Sequence, residues 1–154
     1  MRRTEKEIAD RAEMEAVIAE AQVCRMALCA GDQPYVVPLC FGYADGTFYF
    51  HCALEGRKLD IVKQNPNVCL ELEAGVSLKT GGKACEWGMN FRSVIACGRA
   101  ERVDEAEARR RALDLIMAHY APGRFDYGEA ALAKIVVLQV KTTSMTGKRS
   151  ARAL

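Results

Sequence analysis

The chain has 154 residues, half of them hydrophobic and 27% charged, and a net charge of +2. That length fits one domain with a sizeable core, and the near-balance of charge excludes the basic footprint of a nucleic-acid binder. No apolar run approaches the ~20 residues that cross a bilayer, and no signal-peptide pattern opens the chain, so one cytoplasmic domain over residues 1–154, without membrane partners, is expected.

The first amphipathic segment has Met14, Val17, Ile18 and Ala21 at i, i+3, i+4 and i+7. This spacing predicts a helix over Asp10 to Gln22 with Asp10 as N-cap. A strand over Val23 to Ala30 follows, with Gly31-Asp32 as a turn. Tyr35 to Tyr43 is a second predicted strand. Pro38 inside it removes one ladder hydrogen bond, which implies a bulge, an edge or a ligand-facing position. Asp45-Gly46 is a strong hairpin signal, so a third strand, Thr47 to Ala53, is expected to return antiparallel to the second. Phe48, Phe50 and Cys52 would face one side of it, and Tyr49, His51 and Ala53 the other.

Arg57 to Gln64 reads as a short helix stopped by Asn65-Pro66, and Asn67 to Glu73 as a fourth strand. Gly75 to Lys83 reads as a Gly- and Lys-bearing loop, either a mobile hairpin or a surface loop. Its Lys79-Thr80-Gly81-Gly82-Lys83 run fails the GxxxxGK[ST] phosphate-loop spacing, because Ser77 replaces the first glycine and Ala84 follows the lysine. Met89 to Val103 is a long strand, and Glu105 to Tyr120 a helix carrying Leu113, Ile116, Met117 and Tyr120 on one stripe. Lys134 to Ser144 is a last strand whose run IVVLQV predicts burial on both faces. About six strands with few helices and mostly tight turns predict a mainly β, antiparallel barrel rather than a doubly wound sheet.

Seven cysteines without a secretory signal argue against a disulfide framework. With no CxxC pair and two histidines, no metal site is expected. Cys24, Cys29, Cys69 and Cys97 lie in apolar runs and read as small buried hydrophobes. Cys40, Cys52 and Cys85 lie in or beside the stretch that carries the candidate chemistry.

That stretch is PYVVPLCFGYADGTFYFHCALEGRK, Pro34 to Lys58. A strand feeding a helix that opens on Gly56, Arg57 and Lys58 offers free N–H groups and two cations to a phosphate. A solvated cation pair is the other reading, although cations are disfavoured at a helix N-terminus that holds no anion. His51 is either a hydrogen-bonded structural residue or a group whose imidazole contacts a ligand. His119 suits the C-terminal end of its helix. Arg92 and Ser93, before VIACG, either reach a ligand or satisfy a barrel rim. Trp87 either stacks on a flat ring or packs at an interface. No Ser-His-Asp order and no close carboxylate pair occurs, so any redox or transfer chemistry would fall to a bound cofactor.

Together, CRMALCAGDQPYVVPLCFGYADGTFYFHCALEGRKLDIVKQNPNVCLEL, CEWGMNFRSVIACGRAE and TTSMTGK resemble the 5-nitroimidazole-resistance (Nim) proteins. These belong to the pyridoxamine-phosphate-oxidase-like, flavin-binding split-barrel superfamily, and the resemblance covers about residues 2 to 149. It implies a six-stranded split β-barrel that pairs into a homodimer, with FMN in clefts at the interface. Pro38, Leu39 and Cys40 would then lie along the flavin ring. His51, Cys52 and Ala53 would line the ribityl and phosphate region, and Arg57 and Lys58 would hold the phosphate. Arg92, Ser93 and Val94 would come from the long strand, of the same or the partner chain.

His51 matches a histidine implicated at the active site of such proteins. The implied activity is an FMN-dependent reductase acting on a small nitroaromatic or similar acceptor. The alternative is a non-enzymatic flavin- or haem-binding split barrel. Cys40 and Cys52 depart from the family pattern, replacing polar residues with thiols, which are weaker hydrogen-bonding groups.

Overall fold

The computed structural model describes residues 3–150. In chain order the elements are β1 (Glu7–Ile8), α1 (Arg11–Glu20), β2 (Cys24–Ala30), β3 (Gln33–Leu39), β4 (Gly42–Ala44) and β5 (Thr47–Ala53). Then come α2 (Arg57–Gln64), β6 (Asn67–Lys79), β7 (Gly88–Val103), α3 (Ala106–Tyr120), α4 (Glu129–Leu132) and β8 (Ile135–Arg149). All strand pairs are antiparallel, in the order β3-β2-β6-β7-β8-β5-β4, with β1 added to β8. The two ends of this sheet, β3 and β4, do not pair with each other. Only Cys40 and Phe41 separate them in sequence, so the sheet has to curl into a split barrel that brings its two edges together.

This corrects the expected second strand. Tyr35 to Tyr43 is not one strand but two, broken at Cys40-Phe41 and assigned to opposite edges of the sheet. β3 pairs with β2 through the Gly31-Asp32 turn, while β4 pairs with β5 through Asp45-Gly46. The hairpin signal at Asp45-Gly46 holds, with φ of 48° and 77° at the two turn residues, the left-handed pair that a type I′ turn requires. The break is driven by Phe41, which is 0% exposed. Its ring centroid lies 5.9 Å from that of Phe48, and Phe48 in turn stacks on Phe50 at 6.4 Å. Each ring fully withdrawn from water stabilises the barrel by about 2–3 kcal/mol.

Pro34 and Pro38 both stand on β3, which among the described residues pairs with β2 alone. An edge strand tolerates the missing N–H groups if they face outward, and the two prolines have the same parity. Among the described residues the sheet has eight strands rather than six, because β4 separates from β3 and the two-residue β1 joins β8. The expected loop at Gly75 to Lys83 is also shorter. β6 runs on to Lys79 after a register shift between Ala74 and Ser77, so only its last residues form a turn.

The barrel interior is filled by Met26, Leu28, Phe41, Phe48, Phe50, Leu70, Leu72, Val94, Leu138 and Val140, and α1 closes one side with Met14, Val17 and Ile18. Asp10 caps α1, accepting from Ala12 N–H at 3.1 Å. On the other face of β8, Val137 packs with Ala112, Leu113 and Ile116 of α3, which accounts for the continuous apolar run of that strand. The C-terminus of α3 ties down the crossing at Phe41. Tyr120 Oη accepts from Phe41 N–H at 3.1 Å and donates to Gln22 O at 3.0 Å. His119 sits 4.2 Å from the Phe41 ring, and its Nε2 lies 2.7 Å from Ala21 O. His119 is therefore a structural residue. No helix among the described residues is long and apolar enough to cross a membrane.

Gly42 follows the crossing, and α3 packs directly onto its backbone. A Cβ there would stand 2.6 Å from Ile116 N and from Leu115 C, atoms of a helix backbone that cannot rotate away. Gly42→Ala is expected to destabilise the fold by about 1–3 kcal/mol in urea unfolding. Gly88→Ala, whose added methyl meets nothing within 4 Å, is expected to stay within about 0.5 kcal/mol of the parent.

Candidate functional site

Where β3 and β5 end beside α2, they enclose a groove of about 340 Å³. Tyr35, Val37 and Leu39, alternate residues of β3, supply one wall. Cys52 and Ala53 from the end of β5 and Glu55 to Leu59 from the turn and first turn of α2 supply the other. The strand periodicity thus aims three side chains of β3 at the groove, and the hairpin parity brings Cys52 in from the same face as Phe48 and Phe50.

The start of α2 is the electrostatic feature of this groove. Gly56 is its N-cap residue, with φ 138° and ψ 160°, and no side chain caps the helix. That conformation strains any residue with a Cβ. The Leu59 and Asp60 N–H groups both donate to Gly56 O, at 2.9 Å and 3.2 Å. The N–H groups before them have no intrahelical acceptor. Arg57 lies with its guanidinium carbon 4.8 Å from the Tyr35 ring centroid, a cation–π contact that orients it across the groove. Lys58 is half-buried. Among the described residues neither cation has a carboxylate within ion-pair distance.

Burial lowers the Lys58 ammonium below the usual lysine range, with the Cys52 thiol pulling the other way. Burial raises the Cys52 thiol, against the opposing pull of Lys58 and then Arg102. A half-buried ammonium without a counterion is costly. A dianionic phosphate would relieve that cost and would at the same time meet Arg57 and the helix N-terminus. The residues present therefore fit a phosphate group.

Of the sequence candidates, Pro38, Leu39, Cys52, Ala53, Arg57 and Lys58 come together here. His51 does not line the groove. It stands exposed on the outer face of β5, opposite Val137 in the ladder and next to the groove end at Ala53. Cys40 is exposed at the crossing, outside the groove and near Tyr120. Burial, as the largest cause, pushes the Tyr120 hydroxyl up to about 12.

The long-strand residues lie elsewhere in this chain. Arg92 pairs with Glu20 of α1, Ser93 is half-buried opposite Glu73, and the Val94 side chain is committed to the core at 0% exposure. Cys85 is exposed between β6 and β7. Trp87 is 53% exposed, and its Nε1 donates to Gly81 O at 2.8 Å. Sequence reasoning missed Tyr35, Val37 and Glu55. The alternation of Tyr35, Val37 and Leu39 was a readable signal for the first two.

The reading of four cysteines as buried hydrophobes is also corrected. Cys24 is buried, but Cys29 and Cys69 are half-exposed and Cys97 is exposed. An apolar run conceals strand parity: Cys69 and Cys97 alternate with the buried Leu70 and Ala96 and so face outward.

Comparison with known proteins agrees with this architecture. The family model described as pyridoxamine 5′-phosphate oxidase matches residues 10–149. A candidate 5-nitroimidazole antibiotic resistance protein from Bacteroides thetaiotaomicron is 34% identical, with a TM-score of 0.84 over 93% of this chain and 86% of that one. The FAD and haem binding protein of Mycobacterium smegmatis has the same fold at 18% identity, with a TM-score of 0.84 over 94% of this chain and 73% of its own. An uncharacterised protein of Rhizobium meliloti (strain 1021) is 28% identical over 96 residues, 62% of this chain. The chain spans only 56% of the length of that curated relative. With the split barrel, the family match and the Bacteroides likeness in agreement, the chain belongs to the pyridoxamine 5′-phosphate oxidase family and is related to its 5-nitroimidazole-resistance type.

Proposed function

We propose that this protein binds FMN by its phosphate at Arg57 and Lys58, acts as a homodimer, and reduces a small nitroaromatic or similar acceptor. The observation that carries this reading is the uncompensated pair of cations at an uncapped helix start, one of them half-buried. Flavin, when bound, supplies the electron transfer between a nicotinamide or other donor and the acceptor. Arg57, held by Tyr35, and Lys58 neutralise the phosphate. Leu39 and Pro38 offer an apolar strand edge to the ring, and Cys52 stands beside the phosphate as a weak hydrogen-bonding partner.

His51, exposed next to the groove end, would hold the acceptor or give it a proton from its imidazole. Ser93 and Arg92 would complete the cleft from the second subunit. Pairing is supported by Val76, Leu78, Trp87 and Met89, apolar side chains 46–60% exposed on the β6–β7 hairpin. Exposed apolar groups in a cluster mark an interaction surface.

Purified protein is expected to show a flavin visible spectrum, or to gain thermal stability when FMN is added. A protein that stays colourless and gains none refutes the reading, and a Soret band on haem addition without flavin retention replaces it. Arg57→Ala with Lys58→Ala is expected to weaken FMN at least about tenfold, or about 1.4 kcal/mol, without lowering apo stability, because the change removes a half-buried ammonium that has no counterion. Fluorescence quenching of FMN against pH gives a further check. A phosphate binds the ammonium and not the amine, so affinity is expected to fall as pH rises through the lowered pKa of Lys58. Lys58→Ala is expected to abolish that alkaline loss.

A further inference from the structure

A second groove, of about 510 Å³, lies on the outer face of the sheet at the other end of α2. Cys29, Cys69 and Cys97 line it together with Asn65, Asn67 and Arg99. Cys69 on β6 stands directly opposite Cys97 on β7. A neighbouring hydrogen bond shows which type of pair this is. Ala100 N–H donates to Pro66 O at 2.8 Å, in the same register that pairs Asn67 with Arg99. Pro66 and Ala100 are therefore a hydrogen-bonded pair, and the two pair types alternate along an antiparallel ladder.

Three steps along, Cys69 and Cys97 form a non-hydrogen-bonded pair. In such pairs the Cα atoms approach to about 4.5 Å and the side chains lie closest. That spacing falls within the ~4.4–6.8 Å that a disulfide spans. The β6–β7 register is unbroken from Asn67 to Ala74; the register shift at Cys97-Gly98 lies on the β7–β8 side, where Thr143 is the extra residue, and leaves the Cys69–Cys97 pairing intact. Burial first, and then the Cys97 thiol, hold Cys69 above the usual thiol range, which agrees with close thiols. Cys97 is exposed and Cys69 half-buried, so a reagent reaches Cys97 first. Cys29 is placed differently. Its Sγ donates to Gly31 O at 3.0 Å, and it pairs with Pro34 on the β2–β3 side.

We propose that Cys69 and Cys97 are a cross-strand dithiol that exchanges with low-molecular-weight disulfides and closes to an intramolecular disulfide. The Cys97 thiolate attacks one sulfur of the disulfide RSSR, and the first RS⁻ leaves as the S–S bond breaks. Cys69, as thiolate, then attacks the Cys97 sulfur of the mixed disulfide and expels the second RS⁻. The protons of the two cysteines end on two RSH. The cysteine pair has lost two electrons and RSSR has gained them. Arg99, two residues from Cys97 on the same face, places a cation beside the carboxylates of a reagent such as oxidised glutathione.

The test is incubation of the full chain with oxidised glutathione, followed by peptide mapping without reduction. The expected product carries one crosslink, Cys69 to Cys97, with no glutathione on either residue; dithiothreitol releases it, and any glutathione on the exposed Cys40 and Cys85 is mapped separately. Cys69→Ser is expected to retain one glutathione on Cys97. Cys97→Ser is expected to slow the reaction at least about tenfold, and Cys29→Ser to leave the crosslink intact. A parent chain that keeps glutathione on Cys97, joins Cys97 to Cys29, or stays unmodified overturns the proposal. The readout needs no flavin, so its outcome is separate from that of the flavin titration.

Discussion

The crossing at Cys40-Phe41 is the constraint on which the rest of the structure depends. Two residues carry the chain from one edge of the sheet to the other, which is possible only if the sheet curls until those edges adjoin. Phe41 makes the crossing favourable by plugging the barrel against Phe48. Tyr120 and His119 secure it, because they satisfy the Phe41 N–H and carry the restraint on to the end of α1 through Ala21 and Gln22. Gly42 lets α3 approach closely enough to do so. One apolar plug, one bare backbone and two ring side chains thus convert an open antiparallel sheet into a split barrel.

The candidate site is a consequence of that closure. Curling brings the edge strand β3 beside the end of β5, and α2 starts where they meet. Tyr35 thereby reaches Arg57, although the two are far apart in the sequence. The local chemistry is a matter of electrostatic imbalance. A helix N-terminus favours an anion, yet this one opens on two cations with no cap, and the one carboxylate of its first turn, Asp60, pairs with Lys63. Several arginines of the described chain find carboxylates, as Arg25 does with Glu71 and Glu73. Arg57 and Lys58 do not, and their adjacency at an uncapped helix start makes it the candidate site for an anion.

The outer face of the same sheet shows how far strand parity governs side-chain chemistry. A cysteine one position along from a buried leucine belongs to a different environment, with solvent, polar neighbours and a second thiol across the ladder. α2 lies between the two grooves, with Arg57 and Lys58 at one end and Asn65 just past the other. At about 1.5 Å per residue its eight residues set the grooves roughly 12 Å apart.

Much was legible in the sequence itself. The helix spacing of Met14, Val17 and Ile18, the Asp10 cap, the Asp45-Gly46 turn, the alternation in Thr47 to Ala53 and the basic start of α2 are all local. Each follows from the period or the backbone preference of a few adjacent residues, and these determined the mainly β class and the candidate phosphate site. The tertiary structure alone decided what depends on residues distant in the chain. It broke the second strand at Phe41, set Tyr35 on Arg57 and placed Arg92 on Glu20. It also turned Cys69 toward Cys97. Local propensity carries no information about which edges meet or which registers pair, because those are set by the competition among apolar side chains for a single interior.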